Sequence, residues 1–292
     1  MRQDVRGSEG PGSVRLGGSP ADPGNWRSMV DRRETLTAQE MLEGYVRPGR
    51  PVLLTGVTRD WPALSRWNFD FFRSSYGSEP VRISRAARPE EPEFETTLAG
   101  YLDSFGHHAE GRPFYLTSWP FRERHPELLE DFRIPECLPE DLVARLPDPV
   151  RPDLLWLFMG PAGSGIRMHL DVGFSSAWNV QVTGRKRWVL YPPEQTPFLY
   201  EGEVDALHPD LAHFPRFAEA RGLELEVGPG ELLFIPSLWW HQTVHLEDGI
   251  AVTGNFVDEV NWPAVLRYLE MNRLGELREA LLRVVREAGL GG

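Results

Sequence analysis

Two histidines and one aspartate are the residues of this sequence best suited to do chemistry. His169 and Asp171 stand two apart in Met168-His-Leu-Asp171. On a strand, a period of two puts both side chains on one face. His241 stands far along the chain in Trp239-Trp-His241, at the start of another expected strand. If that strand faces the first, the three groups converge. Two imidazoles and a carboxylate on one face suit non-haem Fe(II), because they leave positions open for O2 and an oxidisable cosubstrate. Zinc fits less well, although two His, a carboxylate and a water also form a zinc hydrolase pattern. His107, His108, His125, His208 and His213 read as solvated loop residues. His245, four positions after His241, reads as packing or as support for the ligands.

Lys186 is the second candidate. Of 31 basic residues it is the only lysine, which marks a place where a compact ammonium is wanted rather than a planar guanidinium. The stretch Ser176–Pro193 reads as a hairpin with Gly184-Arg185 at its turn. Thr183 then faces Lys186, Asn179 faces Leu190, and Asn179 and Lys186 share a face. A buried ammonium needs a partner, and a carboxylate-bearing cosubstrate would supply one. Glu247-Asp-Gly249 reads as the turn of a second hairpin. It sets Thr253 opposite His241 with Asn255 on the same face, where both could bond an oxygen-rich ligand or steady the metal ligands. Gly160-Pro-Ala-Gly-Ser-Gly165 lacks a following Lys-Ser/Thr and precedes a strand, so it reads as a turn and not a phosphate loop.

The elements that must position these residues are mostly short strands. Period-two alternation marks Leu154–Met159, Arg167–Leu170, Ala177–Thr183, Lys186–Tyr191, Leu223–Val227, Leu232–Ile235, Trp239–His245 and Ile250–Phe256, with Gly, Pro and Asp between them. Such a series indicates a β-sandwich or barrel. Upstream, helices are expected over Thr35–Tyr45, Phe69–Tyr76, Leu98–Phe105, Glu123–Phe132 and Pro139–Leu146. Strands are expected over Pro51–Val57, Val81–Ser84 and Pro113–Thr117. Pro263–Ala288 carries a helical apolar stripe and reads as one C-terminal helix, packed on the core or at a dimer interface. Residues 1–33 read as a disordered tail, residues 34–262 as one domain with a strand core over about 113–257, and 263–292 as the helical end.

Composition excludes several alternatives. The chain has 292 residues, 41% hydrophobic and 25% charged, as expected of a globular protein. No apolar run reaches the length of a membrane span, and the start lacks a signal-like apolar segment. A single cysteine, Cys137, excludes an intramolecular disulfide framework, a cysteine-based zinc site and an iron–sulfur cluster, and suits the cytoplasm. A net charge of −12 argues against nucleic acid as a partner and favours, weakly, basic peptides.

His169-Leu-Asp171, the run from Ser176 to Pro193, Pro229-Gly-Glu-Leu-Leu-Phe-Ile-Pro-Ser-Leu-Trp-Trp-His241 and Thr253-Gly-Asn-Phe256 together resemble the JmjC oxygenases of the cupin superfamily. The likeness is nearest to the subgroup of arginine demethylases and lysyl hydroxylases once called phosphatidylserine receptors. Arg50-Pro-Val-Leu-Leu-Thr-Gly56, Asp60-Trp-Pro-Ala-Leu64 and Leu128-Leu-Glu-Asp-Phe-Arg-Ile-Pro135 extend it to roughly residues 34–262. The resemblance implies a mainly β fold, a double-stranded β-helix (jelly-roll) core with flanking helices. It implies Fe(II) at His169, Asp171 and His241, and 2-oxoglutarate held at its distal carboxylate by Lys186 with Asn179, Thr253, Asn255 and Tyr115 as neighbours. It implies a dioxygenase that consumes O2, releases succinate and CO2, and hydroxylates a C–H bond of a protein or peptide side chain or of a small molecule. On an N-methyl group the same step ends in demethylation. One position departs: many relatives have Thr three residues before the first ligand, and here it is Ile166.

Two other readings compete. A non-oxidative zinc or manganese cupin, an isomerase or hydrolase, would have no need of Lys186 and Asn179 in the pocket. A binding module with a decayed site would not need the full ligand set.

Overall fold

A computed structural model describes residues 30–85, 92–106 and 111–290. His107, His108 and the tail through residue 29 lie outside the described residues. The strands are β1 (Asp31–Arg33), β2 (Val52–Leu54), β3 (Pro80–Ile83), β4 (Phe94–Thr97), β5 (Leu116–Trp119), β6 (Leu155–Gly160), β7 (Ser176–Thr183), β8 (Lys186–Tyr191), β9 (Leu223–Val227), β10 (Leu232–Ile235), β11 (Trp240–His245) and β12 (Gly249–Phe256). Seven of them form one sheet in the order β1-β2-β10-β7-β12-β6-β5, and three form a second in the order β11-β8-β9. β3 and β4 pair separately. The two larger sheets face each other, as in the jelly-roll core that the sequence predicts.

Alternation decides what each sheet turns inward. On β7, Trp178, Val180 and Val182 face out into the largest apolar cluster, where they meet Trp61, Trp67 and Phe132 of the N-terminal half. Ala177 and Asn179 face the other way. The outer face of the small sheet is covered by the 192–220 segment, with Met168, Val189, Tyr191, Leu199 and Phe217 packed together. Between the sheets, Leu53, Trp188, Leu190, Val227, Leu233 and Ile235 fill one end, and the other end is left open as a cavity.

The N-terminal half packs on the big sheet through short helices. They are α1 (Ala38–Met41), α2 (Ala63–Arg66), α3 (Phe69–Tyr76) and α4 (Leu98–Asp103). Thr37 and Glu40 form a reciprocal capping box at α1, and Asn68 caps α3.

Several expectations change. Neither hairpin exists. β7 pairs with β10 and β12, whereas β8 pairs with β11 and β9, so Gly184-Arg185 carries the chain from one sheet to the other. Likewise Glu247-Asp-Gly249 joins β11 of the small sheet to β12 of the large one, and Thr253 faces Asn179 and Trp156 rather than His241. The two corners touch: Gly184, with φ +72°, packs on the Asp248–Gly249 backbone so closely that a Cβ would collide with it. Arg167–Leu170 is no regular strand. His169 forms a single bridge with His241, and Asp171 lies beyond it at the start of a 3-10 turn. The strand read at Pro113–Thr117 lies at Leu116–Trp119, and the 123–132 and 139–146 helices are short 3-10 turns at Pro126–Asp131 and Leu142–Arg145. Residues 31–33, read as tail, form β1, which pairs in parallel with β2.

The C-terminal helix is two helices, α5 (Trp262–Met271) and α6 (Gly275–Glu287). Arg273 breaks the run at φ +57°, and the Leu274 amide closes the end of α5 on the Leu269 carbonyl. Both helices pack against Leu142, Val143 and Leu146. His125 is not a solvated loop residue. It packs against Tyr76 and Trp119, with Nε2 3.2 Å from Glu79. His208 and His213 are exposed, as expected.

Candidate active site

The cavity between the sheets has a volume of about 380 Å³. His169, Asp171, Asn179, Lys186, His241, Thr253, Asn255 and Tyr115 all line it. The residues singled out in the sequence therefore share one space, although different strand neighbours bring them there. Asn179, Thr253 and Asn255 come from the large sheet. Lys186 and His241 come from the small one.

At one end, one donor atom from each of His169, Asp171 and His241 lies within 4.8 Å of the others. His241 Nε2 is 3.8 Å from Asp171 Oδ1. The tautomers follow from the partners. His169 Nδ1 meets the Arg167 carbonyl at 2.7 Å and His241 Nδ1 meets the Trp239 carbonyl at 3.0 Å. A carbonyl can only accept, so each Nδ1 carries the proton and each Nε2 keeps a lone pair for a metal. Burial, together with the neighbouring His241, lowers the His169 pKa to about 4, which keeps that ring neutral. The donor set fits a divalent transition metal with open positions.

At the other end, the Lys186 ammonium is 2% exposed. It lies over the rings of Tyr115, Phe158 and Trp188 at 5.8 to 6.0 Å from their centroids. Its Nζ is 3.3 Å from Tyr115 Oη, which is itself 3.3 Å from His245 Nε2. Burial pulls the Lys186 pKa down to about 7. His245 is held well below its ordinary range by burial and by Lys186. Gly160 makes room for Tyr115, since a Cβ there would come within 2.5 Å of the tyrosine ring.

The walls between are polar and incompletely paired. The Asn179 amide bonds the Thr253 hydroxyl, and its Oδ1 is buried with no partner among the described residues. Trp188 Nε1 is a buried donor in the same condition. Asn255 Nδ2 donates to Ser175 Oγ at 2.9 Å. Unmet buried polar atoms beside a buried ammonium fit a small anionic ligand rich in oxygen.

A family model described as a cupin-like domain matches residues 38–261. The chain is also 30% identical to the bifunctional arginine demethylase and lysyl-hydroxylase psr-1 of Caenorhabditis elegans, over 90% of this chain and 72% of that protein. It belongs to the cupin-like JmjC family. The JmjC chain is 34% identical to the lysine-specific demethylase JMJ21 of Arabidopsis thaliana, over 86% of its own length and 27% of that protein. It is 28% identical to the 2-oxoglutarate and iron-dependent oxygenase JMJD4 of Homo sapiens, over 83% of its length and 64% of that protein. The JmjC chain thus spans only part of each relative, about a quarter of JMJ21.

Sequence reasoning missed some of the lining. Trp188 and Thr243 stand on the inward face of the small sheet, as do Lys186 and His241. Counting by two from the named residues finds both, but the supposed hairpins directed attention to other partners. Trp156, Phe158 and Ile235 complete the apolar wall and are found by the same alternation.

Proposed function

We propose that this chain is an Fe(II)- and 2-oxoglutarate-dependent dioxygenase that hydroxylates a C–H bond of a protein or peptide side chain. The observation that carries the reading is one cavity holding a two-His, one-carboxylate cluster at one end and a buried lysine at the other. In this reading His169, Asp171 and His241 hold Fe(II). Lys186 and Tyr115 take the distal carboxylate of 2-oxoglutarate, with Asn179, Thr253 and Asn255 around its chain. A non-oxidative cupin has no use for an ammonium so costly to bury.

When bound, iron and cosubstrate supply the oxidation: O2 and 2-oxoglutarate are converted to succinate and CO2, and one oxygen atom goes to the substrate. The protein's own groups do the positioning. The Arg167 and Trp239 carbonyls fix the ring orientations of the two histidines. Lys186 supplies a positive charge that water cannot screen. Trp188 packs on His241, tilted with ring centroids 5.7 Å apart, and braces that ring from the side.

The relatives' names include both a hydroxylase and demethylases, and N-demethylation is the same oxidation at an N-methyl carbon. We favour stable hydroxylation. The proposal takes residues 34–262 as the catalytic domain. It places the protein in the cytoplasm, on the strength of one buried cysteine. No helix among the described residues is long and apolar enough to cross a membrane. Exposed Met271, at the end of α5, and Leu274, just before α6, are where a homodimer contact would form, which light scattering tests.

The test is turnover. The chain with Fe(II), O2 and 2-oxoglutarate should release succinate, and treated lysate peptides should gain one oxygen atom by mass spectrometry. Loss of a methyl group with release of formaldehyde would establish the demethylase reading instead. No succinate under any peptide supply would refute both.

A further inference from the structure

The inner face of the small sheet is a ladder of three rungs. β11 turns His241, Thr243 and His245 inward, and their partners on β8 are Leu190, Trp188 and Lys186. The outer rungs carry the metal cluster and the ammonium. The middle rung is Thr243 with Trp188; both residues line the cavity and are 2% and 4% exposed.

The hydrogen bonds of Thr243 point to a ligand. Its Oγ1 accepts the Ile166 amide at 3.1 Å, and its own amide donates to the Ile166 carbonyl at 3.0 Å. With one lone pair engaged, the hydroxyl proton has no acceptor among the described residues. Trp188 Nε1 is a second buried donor lacking an acceptor. Buried donors left unmet are costly, and two on one rung mark a wall prepared for anionic oxygen. The hydroxyl is held in place from behind. Gly165 packs on the Thr243 carbonyl, and any Cβ there would push the 163–166 segment away from β11. Beyond its backbone amide, Ile166 adds only a hydrocarbon side chain to this wall.

Spacing decides which part of a ligand meets this rung. Alternate residues on a strand rise roughly 6.5 Å, so Thr243 stands one step from the metal cluster and one from the Lys186 backbone. The four-carbon lysine stem can reach along that step. A five-carbon diacid chelating at the metal end would therefore bring its distal carboxylate to the space between Lys186 Nζ and the Thr243 hydroxyl.

Resting on the oxygenase reading above, we propose that Thr243 is a further cosubstrate-binding residue, whose hydroxyl donates to the distal carboxylate of 2-oxoglutarate beside Lys186. Trp188 completes the same polar wall.

The test is calorimetric titration of 2-oxoglutarate into the Mn(II)-loaded full chain, comparing wild type, Thr243→Val and Thr243→Ser. Thr243→Val should weaken 2-oxoglutarate binding by roughly tenfold or more, with Mn(II) affinity unchanged and a lowered melting temperature, because the Ile166 amide loses its acceptor. Thr243→Ser, which keeps the hydroxyl, should bind within about threefold of wild type. In turnover, KM for 2-oxoglutarate should rise while kcat holds. Equal binding by Thr243→Val and wild type overturns the proposal. So does a valine variant that loses Mn(II) affinity in parallel, which marks a structural role. A wild-type chain that binds Mn(II) but no 2-oxoglutarate refutes the oxygenase reading itself, a result distinct from either of these.

Discussion

Lys186 is the group through which pH reaches the cavity. Its ammonium is buried against three aromatic rings, and burial sets its pKa at about 7. The titratable groups facing it do not compete in the window just above. Tyr115 is pushed far above its ordinary range by burial. His245 is held neutral by burial and by Lys186, and His169 is neutral down to about 4. The ligand-free protein is thus about half charged at Lys186 at pH 7. A dianionic cosubstrate needs the charged form, and its carboxylate raises the lysine pKa in the complex. Binding must then take up a proton, and affinity must fall by close to tenfold per pH unit above 7 until the pKa of the complex is reached. From pH 7 to 8.5 the loss is on the order of fifteenfold. Below pH 6 there is little further gain, because the lysine is already protonated.

Calorimetric titration of 2-oxoglutarate into the Mn(II)-loaded protein at pH 6.5, 7.5 and 8.5 measures both quantities. Repeating it in buffers of different ionisation enthalpy counts the protons. Uptake should grow from about a quarter of a proton at pH 6.5 to nearly one at pH 8.5. Constant affinity with no proton uptake would refute the reasoning, because either the lysine is charged throughout or the carboxylate does not sit beside it.

Three other outcomes follow from the same geometry. Lys186→Met should abolish 2-oxoglutarate binding yet stabilise the ligand-free fold by about 1–3 kcal/mol at pH 6 in urea denaturation, since it removes a buried charge. The folded lysine titrates below its unfolded value, so wild-type stability should rise with pH from 7 toward 10 and that gain should shrink. Asp171→Ala should lose stoichiometric Fe(II) by metal analysis and all succinate release, while keeping the wild-type circular dichroism spectrum. Gly160→Ala should cost about 1–3 kcal/mol of stability and raise KM for 2-oxoglutarate, because the added methyl drives into the Tyr115 ring and Ser164 Oγ. A variant with unchanged KM would show that Tyr115 does not meet the cosubstrate.

The legible parts of this molecule are those a local rule decides. His169, Asp171 and His241 stand out because two imidazoles and a carboxylate together make a metal-ligand set, with the first two residues two apart in sequence. Lys186 stands out as the one lysine in an arginine-rich chain. Phe69–Tyr76 is a helix with the expected bounds because Asn68 caps it. What local rules do not reach is which strand lies beside which. Gly184-Arg185 is a turn in either arrangement. Both edges of β7 are taken by β10 and β12, which arrive from about fifty residues and more downstream, so β8 has no edge to pair with and must cross to the other sheet. The break at Arg273 also escapes a periodicity argument, since apolar spacing carries on through it while the backbone turns back.

The expected neighbours differ, yet the named residues still line one cavity, and the reason is physical. A side chain's face is set by its own strand's pleat, not by the identity of the next strand. Asn179 shares a face with Ala177, and Lys186 with Trp188, whether the two strands pair or oppose. In a hairpin Asn179 and Lys186 would stand in one wall. In the sandwich they meet across a gap, and that gap is what makes a cavity rather than a surface. The crossing at Gly184 therefore does chemical work: it turns the ammonium toward the amide and hydroxyl groups of the opposite sheet. Any substitution that pushes Gly184 off the Asp248–Gly249 corner would open that gap and weaken cosubstrate binding without touching a ligand residue.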